Sequence, residues 1–247
     1  MPIDIAETSK TMTAGDRSDI VSKKVLVGSL VACAVAAVVF LAFPQIDLWA
    51  SRSLYHSGLD TEARVLWLNA ARYGMAAVFW AAAAVAVGGL VVSSIRRVGW
   101  LGLNASRWLF ICVCLVVGPG LVANSLLKDN WGRARPRQIA EFGGDRIYTP
   151  PLVPANQCQR NCSFVSGEAS ALFAPFYAAA LVVPQSSVLL LAVGTLAGLS
   201  AGLVRMSQGA HFLSDVVFAG LFMALTAALL HRLMFAGFER KRPAAHP

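Results

Sequence analysis

Six apolar runs, most of them about long enough to cross a bilayer, constrain this chain more than any other feature. They cover 25–43, 73–95, 108–127, 169–183, 188–204 and 212–235. A helix crosses the hydrocarbon core in about 20 residues. Backbone N–H and C=O groups find no water there, so a crossing segment closes its hydrogen bonds internally. The expected fold is all-α: an integral membrane six-helix bundle. Composition agrees, because 57% of residues are hydrophobic and 14% charged, where a soluble domain is nearer about a quarter charged. The net charge of +8 does not suggest nucleic acid, since no basic helix stands apart from the apolar runs.

An even number of crossings puts both termini on one side and decides which loops meet. The connections 128–165 and 205–211 share one face; the termini, 96–107 and 184–187 share the other. The terminal side carries Lys10, Arg17, Lys23, Lys24, Arg96, Arg97, Arg107, Arg232, Arg240, Lys241 and Arg242. The basic residues opposite fall mostly into two clusters with a chemical use. With those set aside, the excess of cytosolic Lys and Arg in membrane proteins places the termini in the cytosol. The site then lies at the extracytoplasmic ends of the helices. The chain divides into a cytosolic tail (1–23), a six-span domain (24–236) and a basic cytosolic tail (237–247). The opening MPIDIAETSK has no basic segment directly before an apolar core, so it reads as a tail and not a cleaved signal peptide.

Some local features refine this picture. Ile46, Trp49, Ala50 and Leu54 recur near helical spacing and predict a short interfacial helix. Trp49, Tyr55 and Trp67 fit an aromatic belt, and His56 reads as a surface histidine. Gly118-Pro119-Gly120 predicts a kink. Gly194, Gly198 and Gly202 form a small stripe that lets a neighbouring helix approach, more readily inside the bundle than at a dimer seam. Cys33, Cys112 and Cys114 lie in apolar runs. Cys158 and Cys162 share a polar loop, where they either pair or stay free thiols.

Three clusters carry chemistry. In VRMSQGAHFLSD (204–215), Asp215 follows His211 by four residues, one helical face apart. It can hold one ring nitrogen and leave the other free as a base, metal ligand or nucleophile. Arg205 would reach His211 only through a turn at Gly209. In KDNWGRARPR (128–137), Lys128, Arg133, Arg135 and Arg137 stand at a membrane exit. They read as headgroup anchors or as a clamp on phosphate oxygens. In SFVSGEAS (163–170), Ser166 is a natural N-cap, Gly167 admits close backbone approach, and a helix start binds anions. Glu168 suits that first turn.

Together these clusters resemble the type-2 phosphatidic acid phosphatase family. Lys128 followed by Arg135-Pro136 matches its first signature, and Arg205, His211 and Asp215 match its third. The second signature, Pro-Ser-Gly-His in the family, reads Val165-Ser166-Gly167-Glu168 here, and the usual serine before the arginine is Val204. The resemblance implies a phosphatase of membrane lipid phosphates in which His211 attacks phosphorus and Asp215 orients it. Lys128, Arg135 and Arg205, with Arg133 beside them, would hold phosphoryl oxygens. Ser166 and the Gly167 amide would complete the cradle, and Glu168 would serve the leaving group. It implies no metal or other cofactor, inhibition by vanadate, and residence in a bacterial inner membrane with the site facing the periplasm. Pro44-Gln45-Ile46-Asp47-Leu48 and the cysteine loop are similar to bacterial lipid A phosphatases. Undecaprenyl diphosphate, phosphatidylglycerol phosphate and phosphatidate stay open as substrates, as does a non-catalytic lipid-phosphate binder. Oligomeric state is not legible.

Overall fold

The computed structural model describes residues 13–55 and 61–239. The expected tail before residue 13, His56 and the basic Arg240, Lys241 and Arg242 lie outside them. Seven α-helices follow in order: α1 (Ala14–Ala42), α2 (Gln45–Leu54), α3 (Glu62–Arg96), α4 (Ala105–Leu115), α5 (Gly167–Val182), α6 (Ser187–Ser207) and α7 (Leu213–Glu239). No sheet forms among the described residues; two isolated bridges sit in loops.

Local chemistry sets the helix starts. Thr13 and Asp16 exchange bonds in a capping box at α1. Thr61 accepts from the Arg64 amide at α3, and Asn104 accepts from the Arg107 amide at α4. The kink expected at Gly118-Pro119-Gly120 takes the form of a wider coil. Helix α4 continues as a π-helix over Val116–Lys128 with Pro119 inside it. Proline has no N–H to donate, which frees carbonyls upstream. The Asn124 amide donates to Pro119 O (2.8 Å) and the Ser125 hydroxyl to Gly120 O (3.1 Å).

Five helical segments are long and apolar enough to cross a membrane: Ala14–Ala42, Glu62–Arg96, Ala105–Lys128, Pro184–Ser207 and Leu213–Phe235. Helix α5 is apolar but has only 16 residues. It lies at the centre, packed on α6, α7, α3 and α4, with Leu172, Phe173, Ala178 and Leu181 buried. The helices around it turn apolar side chains outward: Val31 and Val38 on α1, Val87 on α3, Leu196 on α6 and Leu233 on α7. That polarity suits lipid. Between helices lipid gives no hydrophobic drive, so small residues and close packing hold the bundle. The α6 stripe lies inside it: Gly198 abuts the Phe173 ring, Gly194 abuts Phe176 and Tyr177, and Gly202 abuts Val216.

Helices α1 and α3 depart most from expectation. Helix α1 starts at Ala14, inside the segment read as a tail and not at residue 25. Helix α3 starts at Glu62, not near residue 73, and has 35 residues. At 1.5 Å per residue it is about 50 Å long, against a hydrocarbon core of about 30 Å. It is longer than one crossing needs. Helix α2 forms where expected, but it buries Asp47, Ala50 and Ser51 and leaves Trp49 outside.

Adding a side chain at Gly198 must displace the Phe173 ring, whereas Gly28 on α1 has nothing within 4 Å of a built Cβ. Gly198→Val is expected to destabilise the detergent-purified protein by about 1–3 kcal/mol, the usual cost of overpacking. Gly28→Ala should leave its melting temperature unchanged or slightly raised. Thermal unfolding of the two variants checks this.

Candidate functional site

One end of the bundle gathers the starts of α3, α5 and α7, the end of the π-helix and the end of α6. Over them folds the 129–166 connection. It is tied down by bonds from Ala155 N to Trp131 O (2.9 Å), Cys162 N to Lys128 O (2.8 Å) and Ser163 N to Arg133 O (2.9 Å). Cys158 and Cys162 are joined in a disulfide, their Cα atoms 5.6 Å apart.

Beneath this loop lies a fully buried ion network. Arg133 is 0% exposed. Its Nη1 donates to Asp215 Oδ1 (2.5 Å) and Ser214 Oγ (2.9 Å), its Nη2 to Asp47 Oδ2 (2.8 Å), and its Nε to the Thr149 carbonyl (2.8 Å). The guanidinium also stacks 4.3 Å from the Phe212 ring centroid. Asp47 accepts from the Ser214 amide (2.8 Å) and hydroxyl (2.5 Å). Burial, and then the Asp47 charge, push the Tyr148 hydroxyl up from its ordinary value, so it stays protonated beside Asp47 (3.3 Å). Arg133 is therefore not a phosphate ligand as the sequence suggests. Its donors are spent on two buried carboxylates, and it does not line the cavity.

His211 is also fully buried. The turn at Gly209, where φ is +59°, carries the chain from Arg205 back to it; such a φ suits glycine. The ring is not held directly by Asp215. Nδ1 lies 2.7 Å from the Ser163 carbonyl and 3.7 Å from Asp215 Oδ2. Asp215 instead accepts from the Ser163 hydroxyl (2.5 Å), the Phe212 amide (2.8 Å) and Arg133. A carbonyl can only accept, so Nδ1 carries a proton, and in the neutral ring the lone pair is then on Nε2. Nε2 is buried and has no hydrogen-bond partner among the described residues.

In front of Nε2 stands Glu168. Its Oε2 is 3.8 Å from His211 Nε2 and 3.9 Å from Lys128 Nζ; its Oε1 is 3.2 Å from Arg205 Nε and 3.3 Å from Arg72 Nε. The Arg205 contact is an ion pair without hydrogen-bond alignment, for Arg205 Nε finds no bonded partner. Glu168 thus occupies the centre of the cation group and screens His211 from the cavity. Ser166 caps α5, its hydroxyl accepting from Ala169 N (3.4 Å), and is buried; in this arrangement it faces the helix. Gly167 lies so close to Lys128 that a Cβ there would be 3.0 Å from Nζ.

The cavity holds about 610 Å3 and is walled by Arg72, Lys128, Arg135, Arg137, Arg160 and Arg205 with Glu168, plus Asn69, Gln138, Asn161 and Gln208. Arg135 donates to the Asn161 carbonyl (2.7 Å) and side-chain oxygen (3.0 Å). Burial, then the charges of Arg137 and Arg205, push Arg135 down to about 10, which leaves it cationic at neutral pH. Arg205 is pinned by Gln208, and Gln208 by Asn69 (3.3 Å). Among the described residues no group of three or more His, Cys, Asp or Glu side chains could hold a metal ion.

A profile of the PAP2 superfamily matches residues 107–239, the stretch that supplies nearly all of these groups. The chain belongs to the PAP2 superfamily. It is 34% identical over 213 residues to the lipid A 4'-phosphatase of Francisella tularensis subsp. novicida, covering 83% of this chain and 94% of that one. It is 36% identical over 211 residues to the lipid A 4'-phosphatase of Rhizobium leguminosarum, covering 78% and 89%. A lipid A 1-phosphatase of Rhizobium johnstonii is 34% identical over 139 residues, covering 56% and 50%. No solved structure matches the chain.

This PAP2 protein draws on three residues that sequence reasoning missed. Arg72 stands just before the apolar run 73–95; it is on α3. Asp47 enters the sequence reading only within the Pro44–Leu48 likeness; the structure buries it. Ser163 acts through its carbonyl, which side-chain identity does not encode.

The two arginines of the same motif should therefore fail differently. Arg133→Met leaves Asp47 and Asp215 buried without a counter-charge, and breaking a buried pair costs about 3–5 kcal/mol. It should collapse the melting transition. Arg135→Gln should keep the melting temperature within a few degrees while lowering phosphate release. Equal melting of both variants would contradict the network.

Proposed function

We propose that this membrane phosphatase of the PAP2 superfamily hydrolyses a phosphate ester of lipid A through a phosphohistidine on His211, at a site facing the periplasm. One observation carries the mechanism: the unpartnered His211 Nε2 points at a spot where an anion, the Glu168 carboxylate, is already held by Arg205, Arg72 and Lys128. Lipid A is favoured because two lipid A 4'-phosphatases match over most of both chains, while a third and a 1-phosphatase match over about half. The 4'-phosphate is the preferred ester on the same ground.

In this reading the substrate phosphoryl group takes over the ion pairs of Glu168 and moves it aside. Lys128, Arg135 and Arg205, with the Gly167 amide at the α5 start, hold the oxygens and stabilise the charge that builds up in transfer. His211 Nε2 forms the P–N bond as the P–O bond to the lipid breaks. The ring becomes cationic, and the buried Asp47–Arg133–Asp215 group, one negative charge in excess, favours that charge. The leaving alkoxide takes a proton from Glu168. Water then attacks phosphorus as the Glu168 carboxylate takes a proton from it; the P–N bond breaks, releasing phosphate and restoring both His211 and the protonated Glu168. Cations around Glu168 favour its ionised form, so this proton is best supplied on the acid side of neutral.

Phosphate release from lipid A, phosphatidylglycerol phosphate, phosphatidate and undecaprenyl diphosphate tests the reading. His211→Ala should abolish turnover. Glu168→Gln should slow monoesters by about 10²-fold, the lower range of general acid catalysis, and the diphosphate less, because a phosphate leaves without help. Near-normal turnover in folded His211→Ala, or a trapped phosphoryl group on another residue, rules out the mechanism.

Helix α5 serves as the sixth crossing. Its 16 residues give about 24 Å, enough for a central helix shielded by longer neighbours, and the site-bearing loops then lie opposite the basic terminal side. With Cys33, Cys112 and Cys114 replaced, a cysteine at Ala140 should react with an impermeant thiol reagent in intact spheroplasts. A cysteine at Val98 should react only after lysis. The reverse pattern would invert the orientation.

A further inference from the structure

The cavity carries more positive charge than one phosphate can use. Arg205, Lys128 and Arg72 face Glu168, and Arg135 is tied to Asn161. Arg137 is different. Its backbone is fixed by a bond from its amide to the Gly209 carbonyl (3.1 Å), its side chain is exposed into the same cavity, and among the described residues it makes no ion pair or side-chain hydrogen bond. Arg160 lines the cavity too, with only a loose 3.7 Å contact to Asp129. Crowding like charges is unfavourable unless an anion is shared among them. A phosphate dianion in the cradle leaves this wall net positive. The volume, about 610 Å3, also exceeds a phosphate, and Gln138 and Asn161 add amide groups suited to hydroxyls.

We propose that Arg137 anchors a second anion subsite beside the phosphoryl cradle, which takes a second phosphate or carboxylate carried on the same headgroup. The substrate class is thus a polyanionic sugar headgroup, not a lipid with one isolated phosphate. The inference rests on the cradle described above but not on turnover.

Calorimetric titration of the full-length protein in detergent tests it with three probes: orthophosphate, methylenediphosphonate and phosphonoacetate. Wild type should bind at least one two-headed probe about tenfold or more tightly than orthophosphate, the scale of one charge-assisted contact. Arg137→Gln should reduce that ratio to about threefold or less, and Arg137→Lys should keep part of it. Arg146→Gln, which removes a charge outside the cavity, should leave the ratio intact and so excludes a general field effect. The favoured probe tells whether the second group is a phosphate or a carboxylate. Equal affinity for one- and two-headed probes in wild type, or a ratio indifferent to Arg137→Gln, overturns the subsite. Failure of the phosphatase reading shows separately, as absence of phosphate release with the binding ratio preserved.

Discussion

The placement of Arg133 between Asp47 and Asp215 is the interaction on which the site depends. It joins α2, the loop after the π-helix and the start of α7, none of which is adjacent in sequence. Burying three charges is costly, and apolar side chains of similar size often stabilise as well or better. What such a substitution would not supply is direction. Asp215 also takes the Ser163 hydroxyl and the Phe212 amide, which fixes the Ser163 carbonyl against His211 Nδ1. The tautomer of His211 is thus set two contacts away from the arginine. The network fixes position more than it adds stability.

Around the histidine the arrangement is inverted: cations dominate, and one carboxylate offsets them. Lys128, Arg205 and Arg72 arrive from three separate helices. Desolvated positive charge in a bundle needs a partner. Glu168 supplies it from the first turn of α5, where a carboxylate is also favoured by the helix dipole. It is the counter-ion that Arg205, Arg72 and Lys128 share. A histidine at that position, the pattern of the family, could not balance the cations in this way.

Much of this was legible in sequence, for identifiable reasons. Apolar runs in lipid have few alternatives to helix, so the spans were placed to within a few residues, apart from the starts of α1 and α3. Both differences arise where charged residues begin, Asp16 to Lys24 on α1 and Glu62 to Arg72 on α3, and charges are equally at home on a helix beyond the apolar layer. Spacing located Lys128, Arg135, Arg205, His211 and Asp215 because each is defined by its neighbours along the chain. It could not separate Arg133 from Arg135. The two are adjacent in pattern and alike in chemistry, and only the path of the loop sends one into the core and the other to the cavity. Nor could an i,i+4 rule fix the His211–Asp215 contact, since α7 begins at Leu213 and His211 lies before it.

The starts of two helices frame the site. Helix α5 begins at Gly167, and its Glu168 borders the same cavity as Asn69 and Arg72 from α3 and Arg137 and Arg160 from the loop. In a cavity partly closed off from solvent each ionic contact is less screened than at the surface, and six cations around one carboxylate leave a net positive charge that only an anion can offset.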